Sequence, residues 1–209
     1  MTLVKICGIT TSADAHAAAD AGADMLGFNF YRASPRYVSL ELARSIIGEL
    51  PDNVESVGVF VNEPLRDVID AVYLTGISSV QLHGDEGPEY VDSLRKQCSV
   101  MVIKAFRVSD RRSLGTVADF KADAVLLDKY TPGEFGGTGN TFDWKLAGEM
   151  TGRVKQLYLA GGLNVQNVAE AIRHVHPFAV DVASGVESSP GKKDPNKLKA
   201  FIEAAKEAI

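Results

Sequence analysis

The sequence predicts an α/β fold in which eight parallel strands close into a barrel, and three observations predict it. Short β-rich apolar runs recur eight times, at residues 3–8, 25–30, 56–61, 79–84, 100–106, 124–129, 156–161 and 179–183. They are spaced by about 20–32 residues with helical stretches between them, which suits a strand–loop–helix–loop unit. Such alternation implies parallel pairing, because parallel neighbours need a crossover. No strand feeds a G-x-G-x-x-G turn, which removes the open dinucleotide-binding sheet. With 209 residues, the chain suits a single (β/α)8 TIM barrel over residues 1–209 rather than two domains.

Each helical stretch has local punctuation. Thr11 or Ser12 caps the alanine-rich run 13–21, and Gly22 supplies a left-handed stop. Ser39 precedes 40–50, which ends at Pro51, and Asn62-Glu63-Pro64 opens the stretch to Thr75. Asn164 is the expected cap of 165–174. Asp194-Pro195 starts the last helix, whose Leu198, Phe201 and Ile202 fall on one face. The weakest helix signal lies around 111–121.

Composition narrows the function classes. Apolar residues make up 45% and charged residues 23%, the profile of a soluble globular protein. A net charge of −5 argues against a nucleic-acid partner, which would need clustered Lys and Arg. No apolar run reaches membrane-span length, and residues 1–8 lack a signal-peptide layout, so a cytoplasmic location is expected. The two cysteines, Cys7 and Cys98, then read as free thiols. The four histidines make no zinc-site spacing, so no metal is expected, and His174 and His176 read as surface-loop residues at the far end of the barrel.

Active sites of such barrels form where strands end and βα loops begin. That rule selects Cys7, His83 and Asp128 at the exits of strands 1, 4 and 6, and Gly161-Gly162 and Ser184-Gly185 after strands 7 and 8. Polar groups at those exits are candidates because burying them elsewhere would be costly. Glycine pairs in consecutive loops allow backbone N–H groups to approach phosphate oxygens. Cys7 also reads as a small core residue, and Asp128 as a loop cap or a lysine partner. His83 suits a structural or substrate-contact role better than proton transfer. Arg36, in the loop after strand 2, carries a planar guanidinium suited to a substrate carboxylate. Lys5 shares a strand face with Cys7, and strand 8 closes beside strand 1. A buried Lys5–Asp181 pair is therefore expected, one whose loss should harm stability more than binding. The glycine-rich segment 130–141 reads as a lid that excludes water.

These residues, in this order, resemble the phosphoribosylanthranilate isomerase family of tryptophan biosynthesis. The resemblance rests on Lys5-Ile6-Cys7-Gly8, Ser34-Pro35-Arg36-Tyr37, Gln81-Leu82-His83-Gly84, Leu127-Asp128, Gly136-Gly137-Thr138-Gly139 with Phe142-Asp143-Trp144, Ala160-Gly161-Gly162-Leu163, and the stretches from Asp181 to Glu187 and from Pro190 to Asp194. It covers essentially the whole chain. Asn140 stands where that family often has lysine, and Ala183 where it often has serine.

The resemblance implies an Amadori rearrangement of a small phosphosugar substrate, with Asp128 as general acid and Cys7 as general base. It implies Arg36 on the anthranilate carboxylate, and Gly161, Gly162, Ser184 and Gly185 on the phosphate. The iminium formed on ring opening acidifies the adjacent C–H, so no cofactor is expected; a monomer or homodimer fits the size. Two tensions accompany these roles. A free thiol has a pKa of about 8.5 and an aspartate one of about 3.9, so each needs help to reach its working state. Lys104, on strand 5, would oppose the acid role if it touched Asp128. The histidine-pathway aminoaldose isomerases are a weaker match, since they look to an aspartate where this chain has Cys7. A non-catalytic phosphosugar-binding barrel would need neither proton-transfer group.

Overall fold

The computed structural model describes residues 1–118, 120–129 and 144–208. Its eight barrel strands are β1 (Leu3–Cys7), β2 (Met25–Asn29), β3 (Glu55–Phe60), β4 (Ser79–Leu82), β5 (Met101–Val108), β6 (Ala124–Lys129), β7 (Leu157–Leu159) and β8 (Ala179–Val182). They pair in parallel in sequence order, and β8 closes on β1 with Lys5 opposite Asp181. A two-stranded hairpin, β9 (Glu187–Ser189) with β10 (Lys192–Lys193), comes after the barrel.

The helices are α1 (Ser12–Asp20), α2 (Leu40–Ile47), α3 (Leu65–Thr75), α4 (Pro88–Arg95), α5 (Trp144–Gly148), α6 (Val168–Val175) and α7 (Pro195–Lys206). Thr11 caps α1 by accepting from Asp14 N, Ser39 caps α2 by accepting from Leu42 N, and Asp194 caps α7. Two expectations are corrected. Asn164 does not cap the sixth helix: its Oδ1 accepts from Gln166 N, forming a turn, and α6 starts after Asn167. Exposed His174 lies within α6 rather than in a loop, whereas exposed His176 follows the helix in a left-handed conformation (φ 49°), in the surface loop before β8. Between β5 and β6 the described residues form a short 3-10 turn, Arg111–Leu114, where the helix signal was weakest.

Two apolar layers hold the barrel. A large one, including Val4, Ile6, Leu82, Val102, Leu127, Val180 and Phe201, lies between strands and helices. A smaller one fills the barrel: Met25, Val57, Ile103, Ala105, Ala124, Leu126, Tyr158, Ala160 and Ala179. Because side chains alternate along a strand, a residue two places beyond an inner one also points inward, nearer the strand exit. Leu3 packs on the inner layer, so Lys5 and Cys7 share its face; by the same alternation Asp128 shares that of Leu126, and Asp181 that of Ala179. The interior is therefore apolar at one end and polar at the other, the end where the βα loops begin. Among the described residues no helix is long and apolar enough to cross a membrane.

Candidate active site

Cys7 ends β1 opposite Gly27 of β2. A β-carbon on Gly27 would lie 2.9 Å from the Cys7 sulfur and 3.1 Å from Lys5 Nζ. Glycine inside a strand marks such a close approach, and here it leaves one hollow shared by thiol and amine. Lys5 is fully buried and donates to Asp181 Oδ1 at 2.8 Å, the pair expected from strand closure. Burial alone would strip the amine of its proton, but Asp181 and the Cys7 sulfur outweigh burial and hold its pKa above the ordinary value. Burial, with a contribution from Asp181, leaves the Cys7 thiol above its ordinary range, and Lys5 and Lys193 pull it only part of the way back.

A second buried amine braces the same strand exit. Lys193 Nζ donates to the carbonyls of Cys7 (2.6 Å) and Ala183 (3.2 Å) and to Glu187 Oε1 (3.0 Å). Glu187 also receives Arg36 through two bonds of 2.8 Å, from Nε and Nη2. Burial raises and the Arg36 and Lys193 partners lower the Glu187 pKa, with a net fall. Arg36 runs past Gly8 (φ 78°), where a β-carbon would sit 2.5 Å from its Cδ. Arg36 thus stands over the Cys7 exit with one edge of its guanidinium held by an internal carboxylate.

Across the mouth, Asp128 Oδ1 accepts from Lys129 N at 2.7 Å, and Oδ2 lies 3.3 Å from His83 Nε2, a close contact short of a well-aligned hydrogen bond. On the other side of the ring, Nδ1 is 2.8 Å from Gln81 Nε2. With the amide donating, Nδ1 is the acceptor and the ring hydrogen sits on Nε2, facing Asp128. Lys104 does not reach Asp128. It lies on the opposite face of its strand and donates to the carbonyls of Leu82 (3.2 Å) and Gly84 (2.7 Å) and to Glu86 Oε2 (2.8 Å). Glu86 accepts in addition from Asn62 N (2.7 Å) and Gly84 N (3.0 Å), tying together the exits of β3, β4 and β5. The alternation of faces thus keeps Lys104 away from Asp128.

The glycine loops meet Asp128 directly. Gly161 and Gly162 both have positive φ (82° and 70°), and a β-carbon on Gly161 would lie 2.7 Å from Lys129 N and 3.0 Å from Asp128 Oδ1. A small cleft is lined by Asp128, Gly161, Gly162, Asp181 and Ser184, with Ala160, Leu163, Val182 and Ala183. Gly185 serves differently: a β-carbon there would collide with the Leu163 carbonyl, so this glycine lets the two loops pack backbone to backbone. The structure therefore gathers Asp128, Gly161, Gly162 and Ser184 around one cleft, with His83 against Asp128. Asp181 links that cleft through Lys5 to Cys7 and Arg36. The expected lid at 130–141, and Asn140, lie outside the described residues.

Sequence reasoning missed Glu86, Glu187, Lys193 and Gln81 as site-building residues. Gln81 had a signal: it precedes His83 by two on a strand and so shares its face. Glu187 and Lys193 lay inside the stretches that carry the family resemblance but were given no role there.

Comparison with known proteins gives a consistent result. The family model described as N-(5'-phosphoribosyl)anthranilate (PRA) isomerase matches residues 4–204. The isomerase of that name from Trichlorobacter lovleyi is 49% identical over 209 residues, spanning 100% of both chains. The solved phosphoribosyl anthranilate isomerase of Thermotoga maritima gives a TM-score of 0.93 at 46% identity, covering 99% of each chain. A phosphoribosyl anthranilate isomerase solved in complex with reduced 1-(o-carboxyphenylamino)-1-deoxyribulose 5-phosphate gives 0.89 at 44% identity, again over 99% of each chain.

Proposed function

This chain belongs to the N-(5'-phosphoribosyl)anthranilate isomerase family, and from that premise we propose which of its residues carry the reaction. It converts N-(5'-phosphoribosyl)anthranilate to 1-(2-carboxyphenylamino)-1-deoxyribulose 5-phosphate, an Amadori rearrangement in tryptophan biosynthesis. Asp128 is the acid. It protonates the ribose ring oxygen as the C1–O bond breaks, and the anthranilate nitrogen supplies the electron pair that makes the iminium. Cys7 is the base. Its thiolate takes the proton from C2, the C–H electrons form the C1–C2 double bond, and the iminium becomes a neutral enolamine. That enolamine then gains a proton at C1 as the C2 hydroxyl releases one, giving the ketone.

The observation that carries this assignment is the cleft itself, in which Asp128 borders both glycine loops and Asp181 leads through Lys5 to the thiol. A phosphate held by Gly161, Gly162 and Ser184, through N–H and hydroxyl donors, places a five-carbon sugar beside Asp128. Gly185 supports that cradle by its packing rather than by lining the cleft. Arg36 meets the anthranilate carboxylate through the guanidinium edge opposite Glu187. His83 orients Asp128 and carries the ring hydrogen that faces it. One proton must sit on Asp128 rather than on Cys7 for a turnover to start. Two free thiols, Cys7 among them, suit a reducing cytoplasm. The test is the fluorescence of anthranilate: the chain extinguishes it on freshly made phosphoribosylanthranilate, and Cys7→Ala or Asp128→Asn abolishes that loss. Near-normal turnover in either folded variant overturns the assignment.

A further inference from the structure

We propose that Lys5 is the positioning cation of the base: across the hollow over Gly27 it favours the thiolate form of Cys7 against the burial that keeps the thiol protonated, and Asp181 sets how much of its charge the sulfur receives. This rests on the reading of Cys7 as base and gives that base the positive partner its chemistry requires.

Three features of the fold place these groups together. The register sets Lys5 opposite Asp181 on β8 and Cys7 opposite Gly27 on β2, so one ammonium lies between a carboxylate and a thiol. Gly27 opens the hollow they share, in a strand position where side chains are otherwise the rule. Lys5 is fully buried, and an ammonium has three donors, of which Asp181 engages one. A purely structural role explains this arrangement poorly. Replacing a buried ion pair by apolar residues of similar volume is often neutral or stabilising, so stability alone gives little reason to keep one beside the reacting sulfur. The other cations facing Cys7 are Lys193 and Arg36, which share the single carboxylate of Glu187 and hold it from the far side of the strand exit. Lys5 is the cation whose counter-ion, Asp181, also borders the substrate cleft. Substrate bound there can change how Asp181 divides its attraction, and with it the field at the sulfur.

The experiment titrates the thiol directly. In a Cys98→Ser chain, the ultraviolet absorbance of thiolate is followed against pH, and the same curve for a chain that also carries Cys7→Ser is subtracted. Lys5→Met is expected to move the Cys7 titration upward by about one pH unit or more, a tenfold loss of thiolate at a given pH. The variant's kcat should fall at neutral pH and recover as pH rises through the new value. Asp181→Asn is expected to move the titration downward. Opposite shifts are the signature, because a merely structural pair would give two destabilised proteins and an unmoved thiol. Two unmoved titrations, or two shifts in the same direction, overturn the proposal. If Lys5→Met does not fold, Asp181→Asn decides alone: a downward shift supports it, and none or an upward one overturns it. Full turnover by Cys7→Ala would instead overturn the base assignment, and the titration separates the two failures.

Discussion

Behind Cys7, a buried lysine donates to two backbone carbonyls and pairs with a buried glutamate; behind His83, the neighbour of Asp128, another lysine and glutamate do the same. Lys193 braces the carbonyls of Cys7 and Ala183 against Glu187, and Lys104 braces those of Leu82 and Gly84 against Glu86. Burial lowers the pKa of both lysines, and their glutamates oppose that fall. The two halves of the mouth differ in what stands beside the reacting atom. Cys7 has the ammonium of Lys5 across a glycine hollow, whereas Asp128 has the imidazole of His83 backed by Gln81. On the proposed assignment, the base has a cation next to it and the acid a ring N–H facing it. The braces hold the backbone at the strand exits, and other residues stand beside the side chains proposed to react.

The largest expected effect tests the reacting atoms. Cys7→Ala and Asp128→Asn should each lower kcat by about 10²–10⁴-fold with the melting profile retained, as measured by anthranilate fluorescence loss and circular dichroism. The braces come next. Glu86→Ala and Glu187→Ala each leave a buried lysine unpaired and should cost about 3–5 kcal/mol in urea unfolding. The kinetics should separate the two sides: without Glu187 the Arg36 guanidinium loses its anchor and KM rises, while without Glu86 the exit carrying His83 shifts and kcat falls. Equal kinetic signatures from both variants would break the comparison between the halves.

A smaller effect concerns pH. The Glu187 pKa is depressed in the fold, so its pairing contributes stability above the ordinary carboxylate range and loses it as pH falls through the folded value. Glu187→Gln should therefore flatten the acid side of the curve of stability against pH, and the urea midpoints of the two proteins should converge in acid.

How much of this was legible in the sequence divides along the same line. The strand-exit rule picked out Cys7, His83 and Asp128, and the glycine pairs marked the loops that line the cleft beside Asp128. Even the Lys5–Asp181 pair could be read from barrel closure. The braces were not legible. Lys104 and Glu86 lie 18 residues apart and meet on the outer face of the strands. Glu187 and Lys193 meet across a hairpin that no apolar pattern announces. Charged residues normally favour solvent, and nothing in the local sequence shows that a tertiary partner will bury them. The Asn164 error has a similar root, since Asn164 and Asn167 are both competent caps, and here Asn167 Oδ1 accepts from Asn164 N and claims the turn.

The packing of Gly185 on the Leu163 carbonyl carries a consequence for the energetics of substrate capture. Two loops joined backbone to backbone lose little configurational entropy when an anion settles between them. On the proposed assignment, the phosphate, remote from the bonds that change, orients the sugar without first ordering its own site. Interaction energy from that distant group becomes available at the transition state, so a substrate stripped of its phosphate should lose turnover as well as affinity.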